Sequence, residues 1–242
     1  MPKDVFLAGL LIFFLTSIGS VLALLLKSIP KLGLNVSLAF SGGIMLVASF
    51  TSLILPSIKL GNVYLSMLGI ILGVLVIFFI EKNVPHEEQF FQYNQKARNL
   101  FLVVLAIVIH NIPEGIAVGV SIVNDINKGW ATALAIGIQD IPEGLAVSLP
   151  LMFLTKRMVI PVLVGVLSGF SEFVFAVLGG LAFSVFHQLL PIGLAFAGGA
   201  MIYITVKEVF PQIYREGGNH DLITIGFLVG MLTMLYLDTV LG

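Results

Sequence analysis

Two 14-residue segments, LAIVIHNIPEGIAV from Leu105 to Val118 and LAIGIQDIPEGLAV from Leu134 to Val147, agree at ten positions with a constant displacement of 29 residues. Each sets polar and acidic side chains inside an apolar run. On a helix, residues i and i+4 share a face and i and i+3 nearly do. His110 therefore stacks with Glu114, and Gln139 with Glu143, while Asn111 and Asp140 lie one step round, within reach of the same two glutamates. Carboxylates, one imidazole and amide oxygens, with no thiolate, form a donor set for a divalent transition metal. Imidazole suits zinc, iron and similar ions, and oxygen donors keep the binding moderate. Clustered carboxylates repel unless a cation or protons sit between them, so two metal positions sharing Glu114 and Glu143 are a natural arrangement. A proton relay without metal would need the acids but would gain little from His110 and Gln139 together.

Pro113 and Pro142 sit inside the same two segments. A mid-helix proline removes a backbone hydrogen bond and kinks the helix, which frees the carbonyls of Ile109 and Ile138 beside the polar residues. Backbone lining a cavity tolerates this, whereas lipid-facing backbone does not. Gly115 and Gly144 follow, leaving room for another helix to approach closely. Glu172, in LSGFSEFVFAVLGG, is the only charged residue of its apolar run and should face the same cavity; the bland reading is a glutamate satisfied by a nearby serine. Met45 follows a Gly-Gly pair in another run, and a methionine there usually packs.

The elements that must position these residues are membrane helices. Of 242 residues, 58% are hydrophobic and 10% charged, with a mean hydropathy of +1.10. A soluble domain carries about 25% charged residues. Repeated runs of about 18 or more apolar residues read as spanning helices. They are continuous rather than alternating, which excludes an outer-membrane barrel. The first run, from Val5 to Leu26, is too long for a signal-peptide core and reads as a span. With no cysteine, disulfides and thiolate metal sites are impossible. The net charge of −1 carries no information about partners, and no basic patch points to nucleic acid.

Eight spans are expected, over 5–26, 36–58, 62–80, 99–123, 130–154, 158–184, 189–210 and 222–241, in one transmembrane domain covering residues 1–242. The longest polar connection, EKNVPHEEQFFQYNQKARN, begins at Glu81. Three basic residues fall on one side of this arrangement and nine on the other. Cytoplasmic loops are the lysine- and arginine-rich ones, so both termini should lie outside the cytoplasm of a multi-pass cell-membrane protein. AFSGGIM from Ala39 and AFAGGAM from Ala195 share five of seven residues, and GIILGVLVIFFIE from Gly69 has a counterpart in GFLVGMLTMLYLD from Gly226. Each pair enters the membrane from opposite sides. Spans one to three and six to eight thus form an inverted repeat, the layout common in secondary transporters, around the inverted pair of spans four and five. The fold class is an all-α membrane protein in a 3+2+3 order.

HNIPEG from His110 to Gly115, with the second IPEG from Ile141 to Gly144, resembles the Zrt-, Irt-like (ZIP) metal transporters, and the likeness extends over nearly the whole chain. The Gln139–Asp140 pair is similar to the prokaryotic branch in which two metals share a binuclear centre. The resemblance implies that His110, Glu114, Gln139 and Glu143 hold the first metal with Met45 at its edge. It further implies that Asn111, Asp140 and Glu172 complete a second position sharing Glu114 and Glu143. It also implies an exit station near the cytoplasmic end of span seven, where Glu208 matches but Lys207 departs from the usual pattern and would repel a cation. The histidine-rich third loop of many relatives is reduced here to His86 with Glu87 and Glu88. His187 and His220 are read as surface residues.

The function expected is transport of a divalent metal, zinc first, into the cytoplasm, with an elevator-like movement of one helix bundle against another implied by the resemblance. Its mixed donors suit iron, manganese and cadmium as well, and no prosthetic group is called for. Partners are the metal ions and membrane lipid, with no nucleic acid, and G-x-x-x-G faces permit a homodimer. A metal-selective channel is the nearest alternative. An intramembrane metallo-hydrolase would need an open metal position and an identifiable base; the chain lacks H-E-x-x-H and kinks both motifs, so no enzyme is expected.

Overall fold

A helix surrounded by acyl chains must satisfy every backbone group internally, and the apolar runs do so as long helices. The computed structural model describes residues 2–26, 31–83, 96–215 and 219–241, and all regular structure among them is helical. Helix α1 is Pro2–Leu26. α2, Lys31–Ala48, continues through a π-helical turn, Ser49–Ile54, into the short α3, Leu55–Leu60; α4 is Val63–Asn83. α5, Lys96–Asn124, and α6, Ile126–Thr155, carry the duplicated motifs, and α7 is Val159–Val185. After a 3-10 turn, His187–Leu189, come α8, Leu190–Ile204, a second π turn, Thr205–Val209, and α9, Phe210–Arg215; α10 is His220–Val240.

Among the described residues, long helical rods run along each of the eight stretches expected to be helical. Six of them are long and apolar enough to cross a membrane by composition alone. The other two, α5 and α6, run for 29 and 30 residues but carry the polar motifs. Both remain helical through Pro113 and Pro142. Only Asp125 separates them, and its Oδ1 accepts the N–H groups of Asn127 and Lys128 at 2.9 and 3.1 Å, capping α6. The loop bearing His86, Glu87 and Glu88 lies outside the described residues.

The two π turns share a sequence feature, although Pro113 and Pro142 sit in unbroken α-helix and show that a proline alone does not force such a turn. In each, a proline stands two residues beyond the end of the turn, Pro56 after Ile54 and Pro211 after Val209. A proline ring clashes with the carbonyl four residues back. A π bulge, one residue wider, relieves that clash. Accordingly the N–H of Leu55 reaches the carbonyl of Phe50, and that of Phe210 reaches Thr205, each five residues back. The turns begin at Ser49 and Thr205, separated by the same displacement as Ala39 and Ala195. The hydroxyls of Ser49 and Thr205 bond back to the carbonyls of Met45 and Met201 at 2.7 and 2.8 Å.

Packing follows a division that chain order does not announce. α1, α5, α6 and α7 pack on one another, α1 lying against both α6 and α7 and α5 against α7. The second group pairs α2 with α10 and α4 with α8. The groups meet where α2 touches α6 and α5 touches α8. The first three helices are thus not one block in space, since α1 joins the group that carries the motifs. The outer faces present Phe14, Leu25, Leu72, Phe79, Leu163 and Leu232, apolar surface suited to lipid. Buried Ile12, Ile44, Ile122, Ile136, Leu194 and Met201 form the core.

Candidate metal centre

The polar residues of α5 and α6 point inward. Asn111, Glu114, Gln139 and Asp140 are buried, as is Glu172 of α7, while Glu143 and His110 are partly buried. Glycines make this convergence possible. A Cβ on Gly115 would stand 2.5 Å from the carbonyl oxygen of Glu172, and one on Gly144 would stand 2.3 Å from that of Thr16. Glycine therefore lets α5 lie against α7 and α6 against α1 at backbone contact. The close approach expected from the sequence is present at both motifs.

α1 contributes a group that sequence reasoning missed. The Thr16 hydroxyl donates to Glu172 Oε2 at 2.8 Å, and the Asn111 amide donates to Glu172 Oε1 and to Ser168 Oγ, the latter at 2.8 Å. Glu172 is thus held by a threonine and an amide from neighbouring helices. A serine does contribute, but one step removed, through Asn111. Ser41 of α2 donates to the Gln139 carbonyl at 2.9 Å, joining the two helix groups at the motif. A lone threonine or serine in an apolar helix reads as packing; the only signal was the i, i+4 spacing of Ser168 and Glu172.

Glu114, Asp140, Glu143 and Glu172 lie close enough for their charges to interact: Glu114 with Glu143 and Glu172, and Asp140 with all three others. Among the described residues none of the four pairs with a lysine or arginine. Glu114 Oε2 and both side-chain polar atoms of Gln139 are buried without a hydrogen-bond partner; both carboxyl oxygens of Asp140 lack an N–H or hydroxyl donor, although Asp140 stands within hydrogen-bonding reach of the Glu172 carboxyl, a pair that one shared proton would join. Two carboxylates about 6 Å apart at an effective dielectric of about 20 repel by roughly 3 kcal/mol. A few such pairs rival the whole stability of a domain, about 5–15 kcal/mol. Gathering these acids is therefore costly unless protons or cations neutralise them. Among the described residues no three histidine or acidic groups converge on one point.

Two sequence candidates remain, Met45 and Glu208. Met45 is fully buried, and its sulfur lies 3.9 Å from the Thr205 hydroxyl. Glu208 stands closer to the motif than an isolated exit station would, since its Oε2 is 3.0 Å from Nε2 of His110. Lys207 does not bear on Glu208 alone, because its ammonium engages Glu81 and Tyr203. Glu81, which the sequence placed at the start of a polar loop, is a buried residue of α4. His187 and His220 are exposed, as expected.

Residues 85–238 match the family model described as ZIP Zinc transporter. The chain is 36% identical to the zinc transporter ZIPB of Bordetella bronchiseptica, an alignment covering 98% of this chain and 81% of that protein. It is also 36% identical to the zinc transporter ZupT of Chlorobaculum parvum, covering 90% of each. With the zinc transporter GufA of Myxococcus xanthus it shares 38% identity over 72% of this chain and 70% of that protein.

Proposed function

Because this chain belongs to the ZIP family of zinc transporters, a multi-pass membrane transporter of divalent metal and not an enzyme, we propose that it carries zinc inward through a two-metal site at the meeting of its two helix groups. The carrying observation is the set of buried acid and amide oxygens with neither hydrogen-bond partner nor basic residue. In this reading His110, Glu114, Gln139 and Glu143 take the first ion, with Met45 at its edge. Asn111, Asp140 and Glu172 take the second, sharing Glu114 and Glu143. The Asn111 nitrogen is committed to Ser168 and Glu172, which leaves its oxygen to face a cation. Thr16 orients Glu172 in the same way, and such outer partners sharpen ligand geometry.

Oxygen-rich, thiolate-free donors bind firmly enough to replace water around zinc yet release it. Carboxylates at the site can exchange metal for protons as it opens inward. Both termini lie outside the cytoplasm in this orientation, within the cell membrane. The group holding α1, α5, α6 and α7 moves against the other, carrying most of the ligands with it. Mixed donors admit iron, manganese and cadmium beside zinc, and a homodimer is compatible with the exposed apolar faces.

Uptake of radiolabelled zinc into sealed vesicles tests the reading. Glu143→Ala is expected to reduce uptake at least tenfold with expression intact, and unchanged uptake removes that residue from the path. Saturation, together with sensitivity to a pH gradient, distinguishes a carrier from a passive channel.

A further inference from the structure

Glycines knit each helix group internally at backbone contact. A Cβ on Gly119 of α5 would stand 2.2 Å from the Ala176 carbonyl oxygen of α7, and one on Gly19 of α1 would stand 2.2 Å from that of Ile141 of α6. In the other group, a Cβ on Gly43 of α2 would stand 2.2 Å from the Phe227 carbonyl oxygen of α10. One on Gly73 of α4 would stand 2.1 Å from that of Phe196 of α8. Gly193 of α8 faces the first group instead, and an added Cβ would meet the Phe183 ring of α7 at 2.3 Å, a side chain rather than backbone. Ser41 crosses between the groups in another way. It is buried on α2, and its hydroxyl donates to the Gln139 carbonyl of α6 at 2.9 Å, so that a side chain of one group reaches the backbone of the other. That carbonyl is next to the one that Pro142 leaves without its N–H. The hydroxyl also has an acceptor on its own helix, the Ser37 carbonyl at 3.4 Å. In the inverted repeat the counterpart of Ser41 is Ala197 of α8, and α8 packs on α5 as α2 packs on α6. That counterpart has no hydroxyl to give.

We propose that Ser41 is a releasable latch between the two helix groups, holding the α6 motif against α2 in one arrangement of the transport cycle and letting go in the other. The inference deepens the transport reading and rests on the movement of one group against the other. A sliding contact must not strand buried polar groups, because an unsatisfied buried donor or acceptor costs more than a bond gains. Here neither partner is stranded. On release the hydroxyl turns to the Ser37 carbonyl four residues back, a bond that hydroxyl residues make within helices. The Gln139 carbonyl keeps the Glu143 N–H, the partner that an α-helix gives it. The engaged arrangement thus trades a longer bond for a shorter one. The gain lies within the net worth of one hydrogen bond, which lengthens the engaged lifetime about twofold to tenfold and can be undone at every cycle. Gln139 belongs to the metal motif, so Ser41 acts on the ion through the placement of α6. It is a positioning residue and not a ligand.

Single-molecule energy transfer between the groups tests the latch. The chain has no cysteine, so Tyr64→Cys on α4 and Ile126→Cys on α6, both at exposed positions, place one dye on each group. In lipid nanodiscs without zinc, the full-length protein should exchange between two transfer efficiencies, the engaged one matching the separation of these residues in the structure. Ser41→Ala should shorten the dwell in the engaged arrangement about twofold to tenfold. Ser41→Thr, which keeps the hydroxyl, should retain the wild-type dwell, and Ser41→Val, of the same shape without it, should match alanine. Zinc bound per chain at saturation should equal that of wild type in all three. The inference is overturned if alanine and valine leave the dwell unchanged, if threonine shortens it as valine does, or if Ser41→Ala loses zinc. Should the two bulkier variants not fold, alanine against wild type decides. A single static efficiency in a wild type that still transports zinc removes the movement itself, and the latch with it. Dwell times are read without zinc, so they stand whether or not Glu143→Ala lowers uptake, which tests the central site alone.

Discussion

The centre of the molecule and the C-terminal end of α4 use the same chemical materials in opposite ways. At the centre, Glu114, Asp140, Glu143 and Glu172 are gathered with no basic side chain among the described residues, and several of their oxygens lack partners. At the end of α4, Glu81 is equally buried but clasped by Lys207 and Tyr203. A buried acid beside a fixed ammonium is already neutralised and has little to offer a passing ion. A buried acid without one remains a demand for charge. The contrast is between acids that await neutralisation and an acid already neutralised within the fold.

The sharpest way to break this contrast is to import an ammonium into the centre. Glu143→Lys should abolish uptake to background and lower zinc affinity at least a hundredfold in equilibrium dialysis, while the folded state survives in size-exclusion chromatography. Retained high-affinity binding would show that the central acids do not act as one cluster. A smaller effect is expected from Glu172→Gln, which keeps the shape and removes one charge. Bound zinc should fall from two ions to one per chain, with uptake reduced severalfold. Equal loss of both ions would mean that the two positions are not separable.

Packing around the centre gives the next effect. Gly144→Ala places a Cβ 2.3 Å from the Thr16 carbonyl. Overpacking of this kind costs about 1–3 kcal/mol, and it should lower the thermal midpoint and displace Thr16 from Glu172. The smallest effect on zinc belongs to Thr16→Val, which removes one hydrogen bond to a carboxylate while leaving the helix packing in place. Zinc affinity at the second position should weaken by about threefold to tenfold, with the first unchanged. An unaltered second position would make Thr16 a packing residue only.

These effects trace to features of unequal visibility in the sequence. The long helical rods were legible because lipid demands long unbroken apolar runs, although their ends differ from the expected bounds by up to five residues, as at Lys31 and Arg215. The acids were legible too, because a carboxylate in an apolar helix stands out by type alone. Gly115 and Gly144 betrayed close approach by lying one residue after each glutamate. The π turns were not legible, since they depend on a register change of a single residue before Pro56 and Pro211. Nor was the four-and-four packing, because α1 joins α5, α6 and α7 across a long stretch of chain. Thr16, Ser41 and Glu81 escaped for a shared reason. Their roles are set by a side chain from another helix, and an isolated hydroxyl or an acid at the rim of a loop carries no pattern of its own. The contact between Glu208 and His110 likewise arises only when the two helix groups meet.

The most direct measurement is anomalous scattering at the zinc edge from crystals of the zinc-loaded protein. Density for an ion between Glu114 and Glu143, with a second beside Asp140 and Glu172 and none bounded by Glu81 and Lys207, is the expected result. Zinc bound elsewhere, with no peak between Glu114 and Glu143 in a protein that still transports, would contradict it.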